Sequence, residues 1–279
     1  ATARSEKTRA RVKELGIADA VVDSNAAAAK DADLVIVCVP VGASGAVAQE
    51  IGPQLKAGAT VSDVGSVKGA VLRDMAPHLP KNVHFIGGHP VAGTEYSGPD
   101  AGFADLFVNR WCILTPPEGA DAAAVEKLTA FWRALGANVE SMPAEHHDLV
   151  LGITSHLPHL IAYTIVGTAN ELSQVTESEV LQYSAGGFRD FTRIASSDPT
   201  MWRDIFLANK DAVLEMLGRF NEDIAALTRA IRNGDGETLF KHFERTRAIR
   251  KGILEMGQDS PAPDFGRPHP HLSDDAGKK

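Results

Sequence analysis

Asp33-Leu34-Val35-Ile36-Val37-Cys38-Val39-Pro40 is the stretch on which the fold turns. It is a nearly unbroken apolar run ended by proline. A strand with one wet face alternates polar and apolar residues, whereas a strand covered on both faces reads like this one, as in a parallel sheet. Working outward, Ala59–Val64 and Val83–Gly87 read as further strands, and Trp111–Leu114 as a fourth. Helical patterns lie between them at Val67–Met75 and Ala122–Leu135, and upstream at Lys7–Leu15, where Gly16 stops the helix. Strands alternating with helices at this spacing imply βαβ units and a doubly wound sheet.

Beyond about residue 141 the pattern changes. Long helical periodicities run through Ala144–Asn170, Glu177–Tyr183, Met201–Asn233 and Gly236–Met256, and no strand is expected. The predicted organisation is an α/β Rossmann-like domain over residues 1–141, an all-α domain over 142–256 and a polar tail over 257–279. A chain of 279 residues suits two domains at roughly 100–200 residues each. A doubly wound nucleotide domain normally opens with a strand and a Gly-x-Gly-x-x-Gly turn at a helix N-terminus. That motif does not occur here. Ala1-Thr2-Ala3 is read as the end of the second strand, with the first strand and its glycine turn expected upstream of Ala1.

The net charge of −8 argues against wholesale binding to nucleic acid or to anionic membranes. No uninterrupted apolar stretch reaches the ~18 residues of a membrane span. A cytoplasmic location is expected. The two cysteines, Cys38 and Cys112, lie in apolar runs and are expected to be buried, reduced thiols.

Four stretches carry chemistry. Gly87-Gly88-His89-Pro90-Val91-Ala92-Gly93-Thr94-Glu95 follows a predicted strand and puts His89 in a glycine-rich loop, where such sheets bind ligands. Asp63-Val64-Gly65-Ser66-Val67-Lys68 is a second strand-to-helix junction, at which Ser66 is either a helix cap or a hydroxyl facing a ligand. Ser155-His156-Leu157-Pro158-His159 places two histidines three apart on one helix face. A metal site is not expected there, because Glu145-His146-His147-Asp148 reads as a solvated helix start. Phe188-Arg189-Asp190-Phe191-Thr192-Arg193, preceded by Gly186-Gly187, offers an arginine fork for a carboxylate, or else a plain ion pair between Arg193 and Asp190.

Together and in this order, the four stretches resemble the prephenate/arogenate (cyclohexadienyl) dehydrogenase family of tyrosine biosynthesis. The resemblance implies oxidative decarboxylation of prephenate or arogenate with hydride transfer to NAD(P). It implies His89 as the histidine that hydrogen-bonds the ring hydroxyl, and Ser66 as the serine orienting that histidine and the nicotinamide. It implies Arg193 at the substrate carboxylate, with Asp190 as its ion-pair partner. Thr94, Ser155, His156, His159 and Gly186 would line the substrate pocket, and Trp202 would reach the pocket of a neighbouring subunit. A homodimer through the helical half and feedback by tyrosine would follow. Other readings are a β-hydroxyacid-dehydrogenase-like oxidoreductase, which would need a helical lysine near Ser155–His159, and a non-catalytic nucleotide-sensing dimer.

Cofactor contacts are expected from Val39, Pro40 and Val41 after the apolar strand, from Asp63 and Ser66, and from Arg4, Ser5 and Lys7. No carboxylate ends the Ala1–Ala3 segment, and a carboxylate there usually binds the adenosine 2′-hydroxyl. Arg4 and Lys7 would suit a 2′-phosphate, so NADP is expected over NAD. The bland alternative is a helix start with Ser5 as its N-cap and Glu6 in the first turn.

Overall fold

The computed structural model describes residues 1–93, 96–173 and 185–255. Helix α1 (Glu6–Leu15) is capped by Ser5, whose hydroxyl accepts from Thr8 N at 3.0 Å, and ends at Gly16 with φ +62°. After α2 (Asn25–Ala29), the apolar run forms β1 (Leu34–Val37). Then come α3 (Ser44–Ile51), β2 (Thr60–Asp63), α4 (Lys68–Met75), β3 (His84–Phe85) and β4 (Gly87–Pro90). They are followed by β5 (Trp111–Thr115), α5 (Ala122–Ala134) and β6 (Asn138–Ser141). The described helical half comprises α6 (Ala144–Leu151), a π-helical turn (Gly152–His156), α7 (Leu157–Ser173), α8 (Gly186–Thr192), α9 (Pro199–Ala208), α10 (Lys210–Arg232) and α11 (Gly236–Glu255).

The strands form two three-stranded sheets. In the first, β1-β2-β3, all neighbours are parallel, with Leu34 beside Thr60 and Thr60 beside His84. In the second, β4 runs antiparallel to β5, with His89 opposite Ile113, and β5 runs parallel to β6. Two-faced burial of β1 follows from its sequence. Val35 and Val37 face a core with Ile51, Val61, Val71 and Ile205, while Leu34 and Ile36 face one with Ile86, Leu114, Leu128 and Trp132.

Several expectations are corrected. Ala1–Ala3 is not a strand; Ala1 O accepts from Val22 N, and Thr2 Oγ1 donates to Val22 O. Gly87–Pro90 is a strand, so His89 sits on β4 and not in a loop. Polar β6 went unread because neither of its faces is fully covered. The helix expected over Met201–Asn233 breaks at Asn209, whose buried side chain is committed elsewhere. Cys112 is buried as expected, but Cys38 is exposed, beyond the end of β1. The chain divides into two compact units, Ala1–Leu217 and Gly218–Lys279. The expected tail and the Glu177–Tyr183 helix lie outside the described residues.

Candidate active site

The site begins where β2 ends. Asp63 turns its carboxylate back into the protein, accepting from Gly65 N (2.7 Å) and Gly88 N (3.1 Å). It also pairs with Lys68 Nζ, which donates in addition to Gly88 O at 2.6 Å. Lys68 has no exposed surface, and Asp63 is 2% exposed. Burial lowers the Lys68 pKa, and the Asp63 charge opposes that shift. The paired glycines let the ion pair and the strands approach. A Cβ on Gly87 would meet Thr115 Oγ1 at 2.5 Å, and one on Gly88 would meet Asp63 O at 2.8 Å. Asp63 is therefore a strut between β2, β4 and α4.

His89 follows directly on β4 and is buried. Its Nδ1 lies 2.8 Å from His147 Nε2, and His147 Nδ1 lies 2.8 Å from Asp148 Oδ1. The same carboxylate accepts from Lys68 N (2.7 Å) and Gly69 N (2.8 Å), the first amides of α4. An anion there satisfies orphan donors and meets the positive end of the helix dipole. Helix α4 is thus capped by Asp148 from α6; Ser66 does not cap it, nor does its N-cap residue Val67. The Glu145–Asp148 run has the composition of a solvated helix start, which is not where His147 and Asp148 lie. They are buried instead, because α6 packs against α4. The His89 pKa is held well below 6.5, first by burial and then by its neighbours His147, Lys68 and His156, each of which opposes a further positive charge there, so the ring is neutral near neutral pH.

The π turn ahead of Pro158 carries Ser155 and His156 into the same region, and such turns recur at functional sites. His156 is fully buried. Its Nδ1 faces Asn209 Nδ2 at 3.0 Å, and that amide also donates to Asp148 O at 2.8 Å. Trp202 stacks on His159 with ring centroids 3.6 Å apart and meets His156 edge-on at 6.0 Å. It is buried within its own chain. His159 Nδ1 donates to Ser155 O at 2.8 Å. Burial pushes both His156 and His159 down to about 4, with the Arg193 charge a smaller cause for His159; half-buried Arg193 opens the turn that packs on α7, the helix of His159.

The structure thus brings together His89, Ser155, His156, His159, Trp202 and Arg193, and adds Lys68, His147, Asp148 and Asn209, which were not singled out. Asp190 lies 3.5 Å from Arg189 on an exposed helix face. Gly186 opens α8. Thr94 lies outside the described residues. Val39-Pro40-Val41 leaves the carboxyl end of β1, beside the β2 end that carries Ser66, and Val41 is packed into the core. The half-buried Ser66 hydroxyl makes no hydrogen bond to a described residue. A nicotinamide dinucleotide fits this end of the parallel strands, where the hydroxyl is unspent. Arg4 and Lys7 are exposed at the start of α1, while Ser5 is spent as its cap.

A parallel-sheet nucleotide domain with a buried histidine cluster, followed by helices, defines a Rossmann-type dehydrogenase. A family model described as "Prephenate dehydrogenase, nucleotide-binding domain" matches residues 1–141, and one described as "Prephenate dehydrogenase, dimerization domain" matches residues 143–245. The cyclohexadienyl dehydrogenase of Zymomonas mobilis is 42% identical over 250 residues, covering 90% of this chain and 85% of that protein. The prephenate dehydrogenase of Aquifex aeolicus, solved with hydroxyphenyl propionate and NAD+, superposes with a TM-score of 0.84 at 36% identity, over 90% of this chain and 87% of that one. Synechocystis arogenate dehydrogenase superposes with a TM-score of 0.75 at 25% identity, over 90% and 89%. The chain belongs to the prephenate dehydrogenase family.

Proposed function

We propose that the chain catalyses oxidative decarboxylation of prephenate, arogenate or both to 4-hydroxyphenylpyruvate or tyrosine, in the cytoplasm, as a homodimer in tyrosine biosynthesis. The observation that carries the reading is His89: a buried histidine held neutral, with Nδ1 engaged by His147, among groups suited to an anionic substrate. When bound, the nicotinamide cofactor accepts the hydride from the ring carbon that bears the hydroxyl. His89 takes the hydroxyl proton, which positioned bases turn into about 10²–10⁴-fold in rate. The C–C bond to the ring carboxylate then breaks, CO₂ leaves, and its electron pair completes the aromatic ring. The proton held on His89 returns to the phenolic oxygen. Arg193 binds a substrate carboxylate, and Ser66 would help to hold the nicotinamide at the end of the parallel strands.

The test is formation of reduced nicotinamide, followed in the near ultraviolet, with prephenate and arogenate. His89→Asn is expected to lower kcat by about 10²-fold or more with dinucleotide binding retained. Activity within a few-fold of wild type would remove His89 from this role.

NADP is the proposed cofactor, with NAD the alternative, because no carboxylate occurs in residues 1–5 and Arg4 stands exposed at the start of α1. The homodimer is supported by uncovered apolar surface on the helices. Ile153, Ile165 and Leu172 are exposed in the first unit, and Ile231, Phe240 and Phe243 in the second. The helical run Ala144–Leu172 is long and apolar enough to cross a membrane, but it carries the buried His147, Asp148 and His156. Such uncovered surface suits a subunit interface. Tyrosine, which shares a ring hydroxyl and a carboxylate with the substrate, would compete for the pocket.

A further inference from the structure

We infer that His147 and Asp148 set the tautomer of His89: His147 is a positioning residue that keeps the proton of His89 on Nδ1 and leaves Nε2 as its lone pair. The inference rests on the proposed role of His89 as the base. It follows from counting donors and acceptors along one hydrogen-bonded chain.

Asp148 is the fixed end. Its oxygens accept from Lys68 N and Gly69 N, so the carboxylate is already turned toward donors and has only lone pairs to offer. His147 Nδ1, at 2.8 Å from Oδ1, must therefore carry a proton. In the singly protonated form inferred for buried His147, Nε2 holds the lone pair. His89 Nδ1, 2.8 Å away, must then be the donor. Nε2 of His89 is left bare, and it has no hydrogen-bond partner among the described residues. Neutral imidazole in water favours the opposite form, with the proton on Nε2. Without an acceptor behind it, the ring would put its proton where the base needs a lone pair. The two rings meet edge to face, with centroids 5.0 Å apart and planes at 67°, so the contact fixes orientation as well as tautomer.

His147 is also the residue best placed for this. It is wholly buried and lies next to Asp148 in sequence on α6, and α6 is held to α4 by the carboxylate cap. The cap bond from Lys68 N and the relay share Asp148 Oδ1, so the helix that carries Lys68 and the proton position on His89 are fixed together. The serine-hydrolase triads show the scale of such control: a wrong-tautomer histidine in otherwise intact geometry costs about 10⁴ in kcat.

The experiment is nitrogen-15 NMR of the histidine-labelled full chain with NADP+ bound, read beside steady-state kinetics with prephenate and NADP+. The wild-type His89 is expected as the Nδ1–H tautomer. His147→Phe keeps an aromatic ring and removes the acceptor; it is expected to move His89 to the Nε2–H form and to lower kcat by about 10²-fold, with KM changed far less. His147→Gln restores an acceptor and is expected to recover much of that loss together with the Nδ1–H signal. An Nε2–H or doubly protonated His89 in wild type at neutral pH would overturn the inference. So would a folded His147→Phe with wild-type kcat, or a Gln variant as impaired as Phe. The wild-type spectrum decides the matter even if a variant does not fold. An enzyme inert toward both prephenate and arogenate would instead count against the proposed function and leave the tautomer assignment standing.

Discussion

Lys68→Met is the perturbation that most directly probes how the site is held. Lys68 heads the largest fully buried side chains, and its ammonium bridges Asp63 and the Gly88 carbonyl immediately before His89. Methionine replaces the aliphatic stem at similar volume, so the cavity term is small. What remains is the Asp63 carboxylate, 2% exposed, with two backbone amides and no countercharge. Stranding one member of a buried pair costs about 3–5 kcal/mol. Against a total stability of about 5–15 kcal/mol, that is a large fraction. Urea unfolding followed by circular dichroism, at fixed protein concentration, should show a lower midpoint at an unchanged slope. Adding Asp63→Asn removes the stranded charge and should recover part of the loss. Lys68 also contributes to the lowered pKa of His89, so the acid limb of kcat/KM should move to higher pH in the variant. A destabilisation below about 1 kcal/mol would refute the reasoning, because it would mean that the pair is not what holds β4 against β2.

Arg193→Ala should chiefly raise KM, by about 10- to 100-fold, since a charge-assisted carboxylate contact is worth roughly 1.5–3 kcal/mol; an unchanged KM in initial-rate assays would make Arg193 structural. Stability should fall as pH drops from 6.5 toward 4: the unfolded chain binds protons that buried His156 refuses until about 4, a difference of roughly 3 kcal/mol, and a flat thermal midpoint across that window would contradict the burial. The ratio of kcat/KM for NADP to that for NAD should exceed one and fall in Arg4→Ala; a wild-type preference for NAD sinks the cofactor proposal. Light scattering at micromolar concentration should give twice the chain mass, and a monomer would refute the dimer.

Much of this was legible in the sequence. The apolar run at 33–39 announced a doubly covered strand because no polar residue interrupts it, and β1 faces two cores. His89, His156, His159 and Arg193 stood out because glycines, a proline or a second charge flank them, and the fold gathers them. Lys68 and the His147–Asp148 pair stayed hidden for a physical reason. A lysine after a strand and a Glu-His-His-Asp run at a helix start have the composition of solvated surface. Only the packing of α6 on α4, a contact between distant parts of the chain, buries them. Asn209 was hidden likewise: in a long helical pattern it looks like any polar position, and its break in the helix comes from bonds to Asp148 O and His156. Ser66 shows the converse error. It satisfies the local rule for a cap, but a distant carboxylate fills that position.

His89 and His156, each engaged through Nδ1, are given opposite polarity by their neighbours. Asn209 must turn its amide nitrogen toward the Asp148 carbonyl, because its own oxygen there would face another lone pair. That nitrogen also faces His156 Nδ1, so His156 accepts at Nδ1 and carries its proton on Nε2. His89, backed by the Asp148 carboxylate through His147, has the reverse arrangement. Asp148 therefore acts twice, through its side chain toward His89 and through its carbonyl, by way of Asn209, toward His156. One ring offers a lone pair and the other an N–H, while burial keeps both neutral. The His156 Nε2–H is buried without a protein partner of normal geometry, although the Ser66 backbone approaches it. An unmet buried donor costs about 1–3 kcal/mol. A site that must take a proton from one oxygen while holding other polar groups in place gains from that division. Uncharged histidines achieve it without adding positive charge to a region that already feels Lys68 and Arg193.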